Sequence, residues 1–211
     1  MHGDTPLRQF AAALALAVTL EFATGESTMS TQITVVLVSG LPGSGKSMLA
    51  ECLRQRLSWP LLAKDNLKEI LFDTLGVRDR DWSRQLSKAA YALMFRQISE
   101  LINAGCSCVV EGNFRHGEHE TQFGAIAMQG ARLVQAHCHA PPDVLLARFR
   151  SRMQRRHAGH ADAESLAEIE SETVRATQRP LAIGGAVVDC ENDAASSGWP
   201  ADAAARVIEQ I

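Results

Sequence analysis

Apolar residues in this chain follow two alternating rhythms. Short, nearly continuous runs rich in β-branched residues, as in strands covered on both faces, are separated by longer segments with apolar positions three or four residues apart, as in amphipathic helices. Ile33 to Ser39 is the first such run, and Met48 to Leu57 the first such segment, with Leu49, Leu53 and Leu57 on one face. Leu61-Leu62-Ala63 predicts a short second strand running into Lys64-Asp65-Asn66 and a helical stretch that carries Leu67, Ile70 and Leu71. Trp82 to Asn103 predicts a long helix with Leu86, Ala90, Leu93, Met94, Ile98, Leu101 and Ile102 across a broad apolar face, ended by Gly105. Cys106 to Glu111, Ala131 to His139 and Ala186 to Cys190 read as three further buried strands. Pro141-Pro142-Asp143 starts a helix with proline in its first turn. Trp199-Pro200 opens a last one with Ala203, Val207 and Ile211 at four-residue steps.

Strands alternating with helices predict a doubly wound, three-layer α/β/α fold: a five-stranded parallel sheet with right-handed crossovers and ligands beyond the carboxyl ends of the strands. A length of 211 residues with 46% hydrophobic suits one domain. We expect that domain to span residues 29–211, with a helical lid at about 148–162. Residues 1–28 differ from the rest: an uncharged Ala/Leu run from Phe10 to Leu20, too short for a bilayer that takes about 20 residues, precedes a polar stretch. The expectation is a non-essential N-terminal extension; the alternative is a signal peptide, since Arg8 precedes the run and small residues follow it.

Charge and cysteines narrow the partners. A formal net charge of -3 gives no field for a nucleic acid or an anionic membrane, which favours a small substrate. Cys106, Cys108, Cys138 and Cys190 fall in the strand-like stretches without Cys-x-x-Cys spacing, and so read as reduced core thiols of a cytoplasmic protein. Oligomeric state has no signature in the sequence.

Between the first strand and the first helix lies Gly40-Leu41-Pro42-Gly43-Ser44-Gly45-Lys46-Ser47, followed by Met48, a full match to G-x-x-x-x-G-K-S. Glycines open φ values closed to other residues, so successive backbone N–H groups of Gly43, Ser44, Gly45, Lys46, Ser47 and Met48 can turn inward around phosphate at a helix N-terminus. Lys46 can reach the β- and γ-phosphates of ATP, and the Ser47 hydroxyl can ligate Mg²⁺. Asp65 follows the second strand, where a carboxylate can take the proton of an attacking hydroxyl; the alternative is an N-cap for the helix from Asn66. Glu111 closes the third strand, the place of a carboxylate that holds Mg²⁺ directly or through water. It could also face the acceptor hydroxyl or pair with Arg115.

With Lys46, Asp65 and Lys68 in this order, and with Val110-Glu111-Gly112-Asn113-Phe114-Arg115 and Arg156-His157-Ala158-Gly159-His160, the chain resembles the small P-loop kinases. That family includes polynucleotide 5′-kinase, chloramphenicol phosphotransferase and the zeta toxins, and the resemblance runs over most of Ile33 to Ile211. It implies ATP and Mg²⁺ as cofactors and Asp65 as the group that accepts the hydroxyl proton. The glutamate at position 111 departs from the family's usual aspartate.

Arg148, Arg152 and Arg155 fall within about 60° of each other on a helix, beside the apolar stripe Leu145, Phe149 and Met153. Such a flank can clamp phosphate oxygens as a lid; it could also be a solvated basic helix paired with Glu164, Glu168, Glu170 and Glu172. We take Arg148 and Arg152 as the lid arginines, and the His157-Ala158-Gly159-His160 stretch as the lid tip. The paired histidines His116 and His119, His137 and His139 have no zinc spacing and read as polar surface or strand-end residues. Asn192 and Asp193, after the fifth strand, are weak candidates for contacts to adenine. The long helix from Trp82 and the Asn113 to Glu120 loop are expected to frame the acceptor pocket, with Lys68 and Arg115 able to bind an anionic group; the alternative for each is a surface charge. The expected activity is transfer of a γ-phosphate to a hydroxyl of a small molecule. A nucleotide-driven switch acting on a protein partner, a polynucleotide end-kinase and a toxin acting on an activated sugar are the alternatives.

Overall fold

The computed structural model describes residues 32–152, 157, 166, 171, 179–193 and 198–211. All of its elements lie in one compact unit, Ile33–Ile211. Strand β1 (Thr34–Gly40) leads through the glycine loop into helix α1 (Lys46–Leu57), then β2 (Leu61–Ala63) and α2 (Lys64–Leu75). The long helix α3 (Arg80–Asn103), β3 (Cys108–Glu111), α4 (Glu120–Met128), β4 (Arg132–His139), α5 (Pro142–Arg152), β5 (Ala186–Glu191) and α6 (Ala201–Ile208) complete it.

The five strands form one sheet in the order β2-β3-β1-β4-β5, and every neighbouring pair is parallel. Alternate residues of a strand face opposite sides. Val36 and Val38 therefore pack with Leu49, Ala50 and Leu53 of α1 and Ala203, Ala204 and Val207 of α6. Val35 and Leu37 pack on the other face with Met94, Ile98 and Ile102 of α3 and Phe123 and Ile126 of α4. These two cores are the two helical layers of a three-layer α/β/α P-loop fold. A third cluster joins Leu145 and Phe149 of α5 to Leu41 and Ala140, fastening that helix beside the glycine loop. The chain leaves β1 with β3 on one side and β4 on the other, so the crevice at the reversal of strand order opens above β1 and β3.

Several expectations change in detail. Cys106 is exposed and precedes β3, because Gly105 at φ 73° ends the α3 turn and delays the strand to Cys108. It is a surface thiol, whereas Cys108, Cys138 and Cys190 are core thiols, and burial pushes Cys108 up to about 12. Helix α2 buries Lys68 and Phe72 and leaves Ile70 60% exposed, since it packs sideways on α3 and its apolar stripe is not its buried one. Leu93 of α3 is 46% exposed, on the far side from Met94. Helix α4 carries no clean stripe and has Gly124 in its middle, so periodicity gave no sign of it. Of the lid, α5 is described to Arg152 and His157 stands alone beyond it. Met153, Arg155, Arg156, Gly159, His160, the acidic residues Glu164, Glu168, Glu170 and Glu172 and the extension at 1–28 lie outside the described residues.

Phe123 is fully buried, with ring centroids 4.9 Å from Phe114 and 5.1 Å from Phe95. Phe123→Ala is expected to lower unfolding free energy by about 3–5 kcal/mol in urea denaturation, as large-to-small core changes do; a loss under about 1 kcal/mol would show that this layer of the core is misdrawn.

Candidate active site

The glycine loop is a cradle that side chains would fill. Gly45 sits at φ 90° in the N-cap position of α1, and a Cβ there would come within 2.2 Å of Asn192 Nδ2 and 2.9 Å of Trp199 Nε1. Gly43, at φ 95°, would collide in the same way with the Leu145 carbonyl at 2.8 Å. No side chain caps α1, and no acidic residue lies in its first turn. Its N-terminus therefore keeps open N–H groups and the positive end of its dipole, as an anion site requires. The N–H of Met48 donates to Gly45 O at 3.0 Å and that of Ser44 to Leu41 O at 3.1 Å, so among Ser44 to Met48 the open amides are those of Gly45, Lys46 and Ser47. Ser44 Oγ is buried without a hydrogen-bond partner. A triphosphate tail fits these features. The pair Ser47 and Glu111 offers the oxygen donors that Mg²⁺ takes.

The loop is held from behind. Asn192, just past β5, donates from Nδ2 to Ser44 O at 3.0 Å. Arg148 of α5 donates to Asn192 O at 2.9 Å, Asn192 Oδ1 at 3.2 Å, Asp193 O at 3.2 Å and Gly43 O at 3.4 Å. Arg148 thus ties the loop to the end of β5. Arg152, one turn further along α5, lines the cleft itself.

Strand register brings the other groups to the same place. Glu111 stands opposite Val38 of β1 and Ala63 of β2, so the ends of three strands are level. Lys46 Nζ lies 3.5 Å from Glu111 Oε1, and both side chains are nearly closed off from solvent. Burial drives the Glu111 carboxyl above the ordinary carboxylate range; Lys46 opposes this and the charge of Asp65 adds to it. Glu111 therefore pairs with Lys46, and Arg115 lies instead 3.9 Å from Glu118. Helix α2 begins directly after β2 with Ala63 as its N-cap residue and no side-chain cap. Ala63 thus takes the N-cap position that the alternative reading gave to Asp65, which is inside the first turn with its carboxylate 3.1 Å from Lys64 Nζ.

Across the cleft stands a wall in which the expected Asn113 is joined by Tyr91 and His119, two residues not named for the site from sequence. Lys64 Nζ lies 5.7 Å from the centre of the Tyr91 ring. Tyr91 donates from its hydroxyl to Asn113 O at 3.0 Å, while Asn113 Oδ1 is buried without a partner among the described residues. Burial, then the charge of Asp65, pushes the Tyr91 phenol well above its usual range. The buried His119 ring packs on Tyr91 at 4.7 Å and accepts from the Arg115 N–H at Nδ1, so its other nitrogen carries the proton; burial lowers its pKa and keeps it neutral. Lys68 is buried, donating to Ser83 Oγ at 2.8 Å with its ammonium 5.1 Å from the Phe72 ring centre. One cleft of about 1160 Å³ brings Pro42, Lys46, Ser47, Asp65, Lys68, Glu111, Asn113, Arg115 and Arg152 together with Tyr91 and His119. Arg148 is on the loop's far side, outside that lining. The three-residue step of polar positions on α3 was the signal that could have found Tyr91. His119 looked like a surface histidine because nothing in sequence shows that its loop folds inward.

A family model described as an AAA domain matches residues 35–176. No curated protein matches the chain. Among solved structures, a candidate kinase from Chloroflexus aurantiacus J-10-fl is 28% identical, with a TM-score of 0.78 over 86% of this chain and 100% of its own. An APS kinase from Mycobacterium tuberculosis, solved with AMPPNP and APS, is 18% identical with a TM-score of 0.53 over 85% of this chain and 97% of its own, a likeness of fold. Among the described residues no helix is long and apolar enough to cross a membrane.

Gly45→Ala is expected to weaken binding of a nonhydrolysable ATP analogue by at least about tenfold in calorimetry, since the left-handed backbone alone costs about 1–2 kcal/mol. Unchanged affinity would mean that the triphosphate does not use this loop.

Proposed function

We propose that this chain, which belongs to the AAA domain family, is an ATP- and Mg²⁺-dependent phosphotransferase that moves the γ-phosphate to a hydroxyl of a small molecule. The observation that carries the reading is the convergence of Lys46, Glu111 and Asp65 on one cleft, between the phosphate cradle and the wall of Tyr91 and Asn113. A binding module needs the cradle alone; a carboxylate facing an acceptor-sized space beside it is what transfer requires.

Lys46 and the loop amides would hold the β- and γ-phosphate oxygens, with Ser47 and Glu111 around the cation. A divalent cation held by these two residues would supply charge neutralisation at the transferred phosphate. Asp65, at 42% side-chain exposure and steadied by Lys64, would accept the proton of the acceptor hydroxyl as its oxygen bonds to the γ-phosphorus and the bond to the bridging oxygen breaks, releasing ADP. General-base help of this kind is worth about 10²- to 10⁴-fold. Asn113 Oδ1, buried and unpartnered, is an acceptor for a second hydroxyl of the substrate and so a positioning group. Arg152 would add charge on the phosphate side, and Arg148 would keep the cradle in shape through Gly43 and Asn192. The two arginines then have separate tasks. Use of ATP would favour a cytoplasmic location.

Asp65→Asn is expected to keep ATP affinity within about twofold in calorimetry and to lower kcat for transfer by about 100-fold or more. A fully active variant would remove the base assignment, and hydrolysis without transfer in the native chain would favour a nucleotide-driven switch.

A further inference from the structure

Helix α3 packs its apolar side on the sheet and turns a polar flank to the cleft. That flank carries Arg80, Arg84 and Lys88 at four-residue steps, so they stand one above another about 6 Å apart. From this we infer that the hydroxyl acceptor also carries an anionic group, a phosphate or a carboxylate, and that the Arg84 and Lys88 pair on α3 recognises it. The inference rests on the transferase reading above and names the substrate class of the same cleft.

Charge is the first support. The chain as a whole has 21 Lys+Arg against 24 Asp+Glu. Along the cleft the balance reverses, to eight Lys and Arg against five Asp and Glu. Lys46 and Arg152 serve the nucleotide end, whereas the α3 row continues past Asp65 to a region that the triphosphate has no need to reach. At the reacting end Tyr91 is held protonated and His119 neutral by burial, so the cationic character is concentrated on the helix flank.

Geometry is the second. Lys64 Nζ lies between Asp65, at 3.1 Å, and the Tyr91 ring, at 5.7 Å, which sets Tyr91 level with the reacting hydroxyl. Back along α3 from Tyr91, Lys88 is about 4.5 Å away and Arg84 about 10.5 Å at 1.5 Å per residue. A hydroxyl at Asp65 and an anion between these two cations are then about 5–10 Å apart, the span of a short polyol or sugar chain. Lys88 makes no ion pair among the described residues. Arg84 has a 3.2 Å contact to Asp81 within its own turn; both side chains are well exposed, and a contact of that kind yields easily to a substrate anion. Ser87, between them on the same flank, adds a hydroxyl donor. The two cations named at first from sequence are differently engaged: Lys68 bonds Ser83, and Arg115 lies against Glu118.

The test gives the full chain γ-labelled ATP and Mg²⁺ with a low-mass metabolite extract split on an anion exchanger into retained and flow-through fractions. Label is expected to enter an acceptor of the retained fraction. The R84Q/K88Q double variant is expected to raise KM for that acceptor by about tenfold or more, with KM for ATP and the thermal midpoint unchanged, since two screened charge contacts are each worth about a factor of a few. Loss of the acceptor on phosphatase pretreatment marks a phosphate ester, and survival marks a carboxylate. Label entering a flow-through acceptor, or an unaltered KM in the variant, overturns the inference while leaving the transferase reading intact. Label appearing as inorganic phosphate alone in both fractions overturns the transferase reading, and the inference with it.

Discussion

The cleft is organised by a turn of backbone that glycine allows and other residues do not. Between Gly40 and Lys46 the chain passes from the central strand into α1 without a capping side chain, which leaves a helix N-terminus facing outward with its donors open. Such a turn would collapse onto solvent or its own carbonyls without support, and the support comes from sequence-distant groups. Asn192 holds the Ser44 carbonyl, and Arg148 bonds Gly43, Asn192 and Asp193 together. The space a Cβ would need at Gly45 is taken by Asn192 and Trp199. Glycine at that position thus answers two constraints at once, a left-handed φ and a brace pressed against the loop.

Sheet order then decides which chemistry meets the cradle. Because β3 lies beside β1 and β2 beside β3, the groups that follow these strands reach the same side of the loop as Lys46. Glu111 ends β3 level with Ala63, and Asp65 is two residues past Ala63, so the carboxylates share a cleft with Lys46. Glu111 is raised by its burial, and two neighbouring charges act on it in opposite senses: Lys46 lowers it and Asp65 raises it. A divalent cation at Glu111 would relieve that tension, which is consistent with a site that works with Mg²⁺.

Much of this was readable from residues. The buried run before Gly40 and the stripe after Ser47 place the motif between a strand and a helix, and backbone continuity does the rest. Strand-end positions also follow from pattern, which is why Asp65 and Glu111 could be named. What the pattern withholds is lateral. Nothing in sequence says that Glu111 would take Lys46 as partner over Arg115, because that choice depends on strand order. Arg148 and Arg152 look equivalent on a helical wheel; packing of Leu145 and Phe149 on Leu41 and Ala140 turns one to the loop and leaves the other along the cleft. The long helix and the loop after Asn113 were expected beside the acceptor, but Tyr91 and His119 themselves were not named there since α3 was read for its apolar side; α4 went unnoticed since nine residues around a glycine show no stripe.

The central claim is that the loop amides and Lys46 hold a triphosphate tail opposite Asp65. Crystals of the full chain grown with Mg²⁺ and a nonhydrolysable ATP analogue test it most directly. The account predicts phosphate oxygens within hydrogen-bond distance of the Gly45 to Ser47 N–H groups and of Lys46 Nζ, with the terminal phosphate turned toward Asp65. A triphosphate bound elsewhere, or a terminal phosphate turned away from the α2 side of the cleft, would contradict it.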